Sequence, residues 1–242
     1  MFTVKQLLRR WLPPWALNRY RQLRYGETWF DFEDRSLKEV FTHIYRQNVW
    51  GRGDGGLYSG PGSDPAVTAP YVAAVREFIQ SERIRSVVDL GCGDFRVGKQ
   101  MLSPELRYHG VDIVDDVVNR NKQLFESREV AFSCLDATRE DLPAGDLCLV
   151  REVFQHLSNE QIAKVLVRCR RFPFVIVTER IASPDRLTTP NVDIRQGPNT
   201  RADIGSGVVL NAAPFSERVS RVLVDTALPD RTVLRSVVID NR

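Results

Sequence analysis

The stretch SVVDLGCGDFRVG, residues 86–98, constrains the fold of this chain more than any other. Val87 and Val88 are β-branched and follow a polar break, so a buried strand is expected over residues 86–90. Gly91, Cys92 and Gly93 then make a turn of small residues, where a larger side chain would keep a ligand away from the backbone. The spacing predicts a short helix over 94–102, with its free N–H groups aimed back at the turn. Strand, glycine turn and helix in that order make a unit that can hold a nucleotide-like ligand. The dinucleotide pattern G-x-G-x-x-G fails here, because its third glycine would fall on Arg96. An acidic residue does follow at the distance that pattern requires, as Asp112.

Downstream, strand and helix patterns alternate. Strands are expected over 108–112, 130–135, 146–150 and 174–178, and helices over 114–126 and 159–170, the latter capped by Ser158. That alternation argues for an α/β fold with a parallel sheet covered on both faces. A helix over 66–81 precedes the first strand, and 222–225 with 233–239 read as a closing antiparallel hairpin. Before the core, Phe32, Leu37, Val40, Phe41, Ile44 and Tyr45 fall at helical spacing, with Asp34 and Ser36 as start signals. The stretch NVWGRGDGGLYSGPGSD, residues 48–64, is a Gly- and Ser-rich loop flanked by Trp50 and Tyr58. Residues 182–216 lack periodicity, and a loop of that length in a compact domain is commonly functional.

The 242 residues suit one α/β domain, 65–242, with an extension over 1–64. Residues 1–26 carry six basic side chains and no acidic one, interleaved with aromatic and aliphatic residues around Pro13 and Pro14. Two short amphipathic helices with that pattern can lie on an anionic membrane, dock on the body of the protein or pair with another subunit. A net charge of +3 without a recognition motif does not point to nucleic acid. Cys92, Cys134, Cys148 and Cys169 lack metal-ligand spacing and are read as core thiols of a reducing compartment. No signal peptide or spanning stretch is apparent, so a cytoplasmic protein is expected, with at most peripheral membrane contact.

Four segments, VVDLGCGDF, YHGVDIVDDVV, FSCLDATREDLP and DLCLVREVFQHLS, resemble in order the nucleotide-site motifs of class I S-adenosylmethionine-dependent methyltransferases. The chain departs from their D-x-G-x-G-x-G pattern at the last glycine, which is Phe95. NVDIRQGPNTR and LNAAPF further resemble the acceptor-side segment of a bacterial group that also carries N-x-W-G and S-G-P-G-S elements. The likeness runs from about Val40 to the C-terminus. It implies a doubly wound, seven-stranded Rossmann-like sheet with an N-terminal helical extension, and it implies that the 48–64 loop folds over the cofactor or acceptor.

The same resemblance implies roles for individual residues. Asp112, with Ile113 beside it, would receive the ribose hydroxyls, and Asp136 with the Ala137 N–H would meet the adenine. Asp89, the backbone of Gly91, Cys92 and Gly93, and Asp94 would meet the methionine end, with Arg151 nearby. Carboxylates suit a cationic sulfonium and ammonium. On the acceptor side His156 is the candidate base, Glu152 a second one, and Arg151 a group for an acceptor oxygen. Trp50 could stack on a sugar or close the pocket. The three histidines do not converge with acidic residues, so no metal is expected. The expected reaction is O-methylation of a small or carbohydrate acceptor, as in surface-polysaccharide biosynthesis. A non-catalytic S-adenosylmethionine sensor or scaffold is the alternative, and a nicotinamide oxidoreductase is disfavoured by Arg96.

Overall fold

A computed structural model describes residues 35–53 and 56–242. The basic segment 1–26 and the Phe32 and Asp34 signals lie outside the described residues. The first described helix, α1 (Leu37–Arg46), starts at Ser36 in a reciprocal capping box with Glu39. Helix α2 (Pro65–Ser81) precedes β1 (Ser86–Leu90), and β2 (Arg107–Asp112), α3 (Asp115–Phe125) and β3 (Val130–Cys134) follow. The second half contains β4 (Leu147–Arg151), α4 (Asn159–Cys169), β5 (Phe174–Ala182), β6 (Val219–Ala227) and β7 (Thr232–Asp240).

The seven strands form one sheet in the order β3-β2-β1-β4-β5-β7-β6. The first five run parallel, β7 is antiparallel to β5, and β6 is antiparallel to β7. The order in which the strands are laid down reverses between β1 and β4, and a crevice opens at such a switch point beyond the carboxyl ends of the strands.

Side chains alternate across this sheet, as the period of a strand requires. Val87, Leu147, Leu149, Phe174 and Ile176 join α2 residues Tyr71, Val72, Val75 and Phe78 in one core layer. Val88, Cys148, Val150, Val175 and Val177 join α4 residues Ile162, Val165, Leu166 and Cys169 in the other. The central strands are apolar on both faces because helices cover both. All four cysteines are free, and three of them are buried. No described helix is long and apolar enough to cross a membrane.

Two expectations need correction. No helix follows the glycine turn: the chain runs through turns to a single 3₁₀ turn at Gly98–Met101. The cause is Phe95, whose φ of +64° is incompatible with a right-handed helix. Its ring is buried against Tyr108, Phe125 and Phe132, on the core side rather than toward the crevice. The second correction is length. Strand β5 extends past Thr178 to Ala182 and β6 starts at Val219, because pairing with β7 carries polar residues such as Glu179 and Arg221 into the ladder.

The α4 cap follows the sequence: Ser158 Oγ accepts from the Gln161 N–H, and the Gln161 side chain accepts from the Ser158 N–H. Replacing it, Ser158→Ala, is expected to cost about 1 kcal/mol of unfolding free energy, measured by urea denaturation.

Candidate functional site

A cavity of about 360 Å³ lies over the carboxyl ends of β1, β2, β3 and β4. It brings together Asp89, Gly91, Cys92, Gly93, Asp94, Asp112, Ile113, Asp136, Ala137, Arg151, Glu152 and His156, every site residue expected from the sequence. Its size falls within the range of small-ligand pockets.

The glycine turn is stitched to the end of β2. The N–H groups of Gly91 and Cys92 donate to the Val111 carbonyl at 2.7 and 3.0 Å, and Gly93 N–H donates to Asp112 Oδ2 at 3.1 Å. Gly91 and Gly93 have φ of +72° and +54°. A Cβ on Gly91 would stand 2.3 Å from Val153 Cγ2, and one on Gly93 would stand 2.2 Å from Ser59 Oγ. These turn N–H groups are therefore used inside the protein, and with no helix N-terminus behind them they do not form an anion nest. The wall they build presents carboxylates instead.

Asp112 is buried and also accepts from the Val114 N–H at 3.0 Å, so each oxygen holds one donor and keeps lone pairs for a ligand. Burial raises its pKa against those N–H donors. Asp89 accepts from the Tyr108 hydroxyl, and burial pushes its carboxyl up to about 6 despite that bond. A cation placed beside either group would favour its ionised form. Asp136 Oδ1 accepts from the Thr138 N–H and hydroxyl at 2.9 and 2.6 Å, while Oδ2 stands 3.7 Å from Arg139 Nε.

The segment at residues 57–64 forms a strap across the glycine turn. Asp94 N–H donates to Ser59 Oγ at 2.8 Å, Ser59 N–H donates to Asp94 Oδ2 at 3.3 Å, and Tyr45 Oη meets Ser59 Oγ at 2.9 Å. Ser59, Gly60, Pro61, Gly62 and Ser63 all line the cavity. Arg151 Nη2 donates to the Gly62 carbonyl at 2.7 Å, fastening the far end of the strap to β4.

At the β4 end, Arg151 Nη1 pairs with Glu152 Oε2 at 3.0 Å, and Arg180 joins Glu152 at 3.5 Å and Asp230 at 2.8 Å. Glu152, at φ +54°, thus lies between two guanidiniums. His156 is buried and lies beside Trp50, with ring centroids 5.0 Å apart. Burial pushes its imidazole down to about 4, with the Glu152 charge and the carbonyls of Asn199 and Gly197 offsetting only part. The ring is therefore neutral at ordinary pH. Among the described residues, His156 Nδ1, Gln155 Oε1 and Arg151 Nε are buried without a hydrogen bond of good geometry. Such unsatisfied atoms around one cavity wall mark where a polar ligand would be received.

The sequence did not single out Ser59, Tyr108, Glu179, Arg180 or Arg201. Signals existed for Ser59, in the S-G-P-G-S element, for Tyr108, which opens YHGVDIVDDVV, and for Arg201, which ends NVDIRQGPNTR. No group of three or more described His, Cys, Asp or Glu residues is placed to hold a metal ion.

A family model for a methyltransferase domain matches residues 88–172. The 23S rRNA (uracil(747)-C(5))-methyltransferase RlmC of Yersinia pseudotuberculosis is 30% identical over 80 residues, 32% of this chain and 21% of that protein. The chain thus matches about a fifth of the length of these curated relatives. Among solved structures, the N-methyltransferase NodS of Bradyrhizobium japonicum, in complex with S-adenosyl-L-homocysteine, has a TM-score of 0.56 at 12% identity. That likeness covers 74% of this chain and 89% of NodS. The N-terminal domain of EvdMO1, in the presence of S-adenosylhomocysteine and D-fucose, has a TM-score of 0.52 at 15% identity, covering 90% of this chain and all of that one (100%). At those identities the likeness is one of fold. The chain thus carries a match to a methyltransferase domain over residues 88–172, and its strand order gives it the fold of these methyltransferase structures.

Proposed function

We propose that the chain transfers the methyl group of S-adenosylmethionine to a hydroxyl of a small or carbohydrate acceptor. The observation that carries this reading is the convergence of Asp89, Asp112 and Asp136, from the ends of three strands, on one cavity with His156 at its far wall. Bound S-adenosylmethionine supplies a methyl group on a cationic sulfonium. Asp112 receives the ribose hydroxyls, Asp136 and the Ala137 N–H meet the adenine, and Asp89 and Asp94 face the methionine end. The strap excludes water from that end and fixes the direction of approach. His156, neutral and with Nε2 as the acceptor in its 3.2 Å contact with Gln155 Nε2, takes the acceptor proton at Nε2 as the new bond forms and the Gln155 amide gives way.

The lining also bears on the acceptor. Among the described residues, Asp89, Asp94, Asp112, Asp136, Glu152, Asp203 and Asp230 line the cavity against two guanidiniums, Arg151 and Arg180. Both guanidiniums are paired with carboxylates. A cavity of that charge favours uncharged acceptors over phosphates, carboxylates or a nucleic-acid backbone. Trp50 and Phe41 supply an aromatic wall beside His156, which suits the face of a sugar ring. The presence of D-fucose in the EvdMO1 crystal is in keeping with a sugar at the equivalent place, and a polysaccharide pathway is one setting for such an acceptor. The basic, aromatic segment 1–26 suits an anionic membrane face, where a lipid-linked glycan would be presented, or pairing with another copy.

Asp112→Ala is expected to weaken S-adenosylhomocysteine binding about 10- to 100-fold by calorimetry, the loss of hydrogen bonds to a charged group. His156→Ala is expected to keep that affinity and to lower labelled-methyl transfer to a panel of glycan and small hydroxyl acceptors about 10²- to 10⁴-fold. Wild-type transfer by the His156 variant would remove the base assignment, and cofactor binding without transfer to any acceptor would favour a sensor.

A further inference from the structure

Between β4 and α4 the chain makes a tight loop, residues 153–157, whose 3₁₀ turn Phe154–His156 places the imidazole on the cavity wall. Its polar backbone is held from two sides by buried charges. From β5, Glu179 Oε1 accepts from the N–H groups of Val153 and Phe154 at 3.2 and 2.8 Å, and Oε2 accepts from that of Gln155 at 2.9 Å. From the 3₁₀ turn Arg201–Ile204, Arg201 donates to the carbonyls of Phe154 and Leu157 at 3.0 and 2.7 Å. The same guanidinium reaches the Asn159 side chain at 2.9 Å and the Val192 carbonyl at 2.9 Å. The remaining loop N–H groups, of His156 and Leu157, bond within the loop to Val153 and Phe154.

Glu179 is 2% exposed and Arg201 is fully buried. No ion pair is found between them: the loop backbone stands between the two charges and takes the bonds that each would otherwise give the other. Burying two separated charges is costly, and an apolar plug would fill the same space more cheaply. What the charges supply is geometry, since five of the loop's polar backbone groups are fixed at once. Immediately before the loop, Glu152 holds a left-handed φ of +54°, so the chain enters it under constraint.

We infer that Glu179 and Arg201 are positioning residues, a two-sided clamp on the backbone that sets where the His156 imidazole stands against the acceptor. The inference rests on the reading of His156 as the group that meets the acceptor. Its consequence is separable: the clamp keeps the ring buried, beside Trp50, with Glu152 and Arg201 the charges that act on it. Burial pushes Glu179 itself up to about 8, while its N–H donors and Arg201 pull the other way.

The test is an NMR titration of the three histidines, with the His156 signal assigned by its loss in His156→Ala. In the wild-type chain His156 is expected to titrate near 4, and amide exchange at Val153, Phe154 and Gln155 is expected to be as slow as in β4. In Glu179→Gln an NH₂ group is turned toward backbone donors, and in Arg201→Met the carbonyls lose their donor. In both, the His156 titration is expected to rise toward 6.5 while those of His43 and His109 stay in place. S-adenosylhomocysteine affinity should change less than about 3-fold and labelled-methyl transfer should fall about 10- to 100-fold. Arg201→Lys, with three donors, should restore part of both. An unmoved His156 titration in folded Glu179→Gln or Arg201→Met overturns the clamp. If those variants do not fold, fast exchange of the three amides in the wild-type chain overturns it instead. Full transfer by His156→Ala with a shifted titration in the clamp variants would sink the base assignment and leave the clamp standing.

Discussion

The hydrogen bonds between the glycine turn and the end of β2 are the constraint on which the rest of the site depends. Two N–H groups close on the Val111 carbonyl and a third on the Asp112 carboxylate, so one turn is locked to its neighbour strand before any ligand arrives. That lock consumes the donors that a helix-led turn would offer an anion. It leaves a crevice whose polar character comes from carboxylates, and the chemistry of the bound group follows: a ligand with a positive centre is favoured where the strands end. The strap, in turn, can seat only because Gly93 has no side chain where Ser59 Oγ stands.

Much of the architecture is legible in the chain because the central strands are apolar on both faces and the helices carry their own start signals. Ser36 and Ser158 cap the helices that follow them, each through a reciprocal pair with a residue three positions on. Strand endings were harder to read. Glu179 and Arg180, past the strand expected over 174–178, look like the start of a loop, yet pairing with β7 keeps them in the sheet, where Glu179 is sheltered under the 153–157 loop. The helix expected after the glycine turn failed for a local reason. Phe95 takes a conformation that glycine usually supplies and is repaid by three aromatic neighbours in the core.

The site residues divide in the same way. Those at strand ends, Asp89, Asp112 and Asp136, could be found because strand and turn patterns locate the ends of strands. Glu179 could not, and Arg201 was marked only as the end of NVDIRQGPNTR and not by role, because their partners are backbone groups distant in the chain and no spacing records a bond to a carbonyl. Arg201 comes from the long irregular stretch, which also lines the cavity through Pro198, Thr200, Ala202 and Asp203. A segment without periodicity is here organised by one guanidinium and by Asn191, whose side chain bonds Val209 through both its amide groups.

The reciprocal pair of Ser59 and Asp94 has a kinetic consequence. The Ser59 and Asp94 N–H groups each find the other residue's side chain only while the strap is seated, whereas Asp94 Oδ1 keeps the Arg96 N–H. Lifting the strap therefore breaks both bonds together rather than one by one, and a partly raised strap is unfavourable. Exchange of a ligand held beneath the strap becomes an all-or-none opening whose frequency is set at that rim.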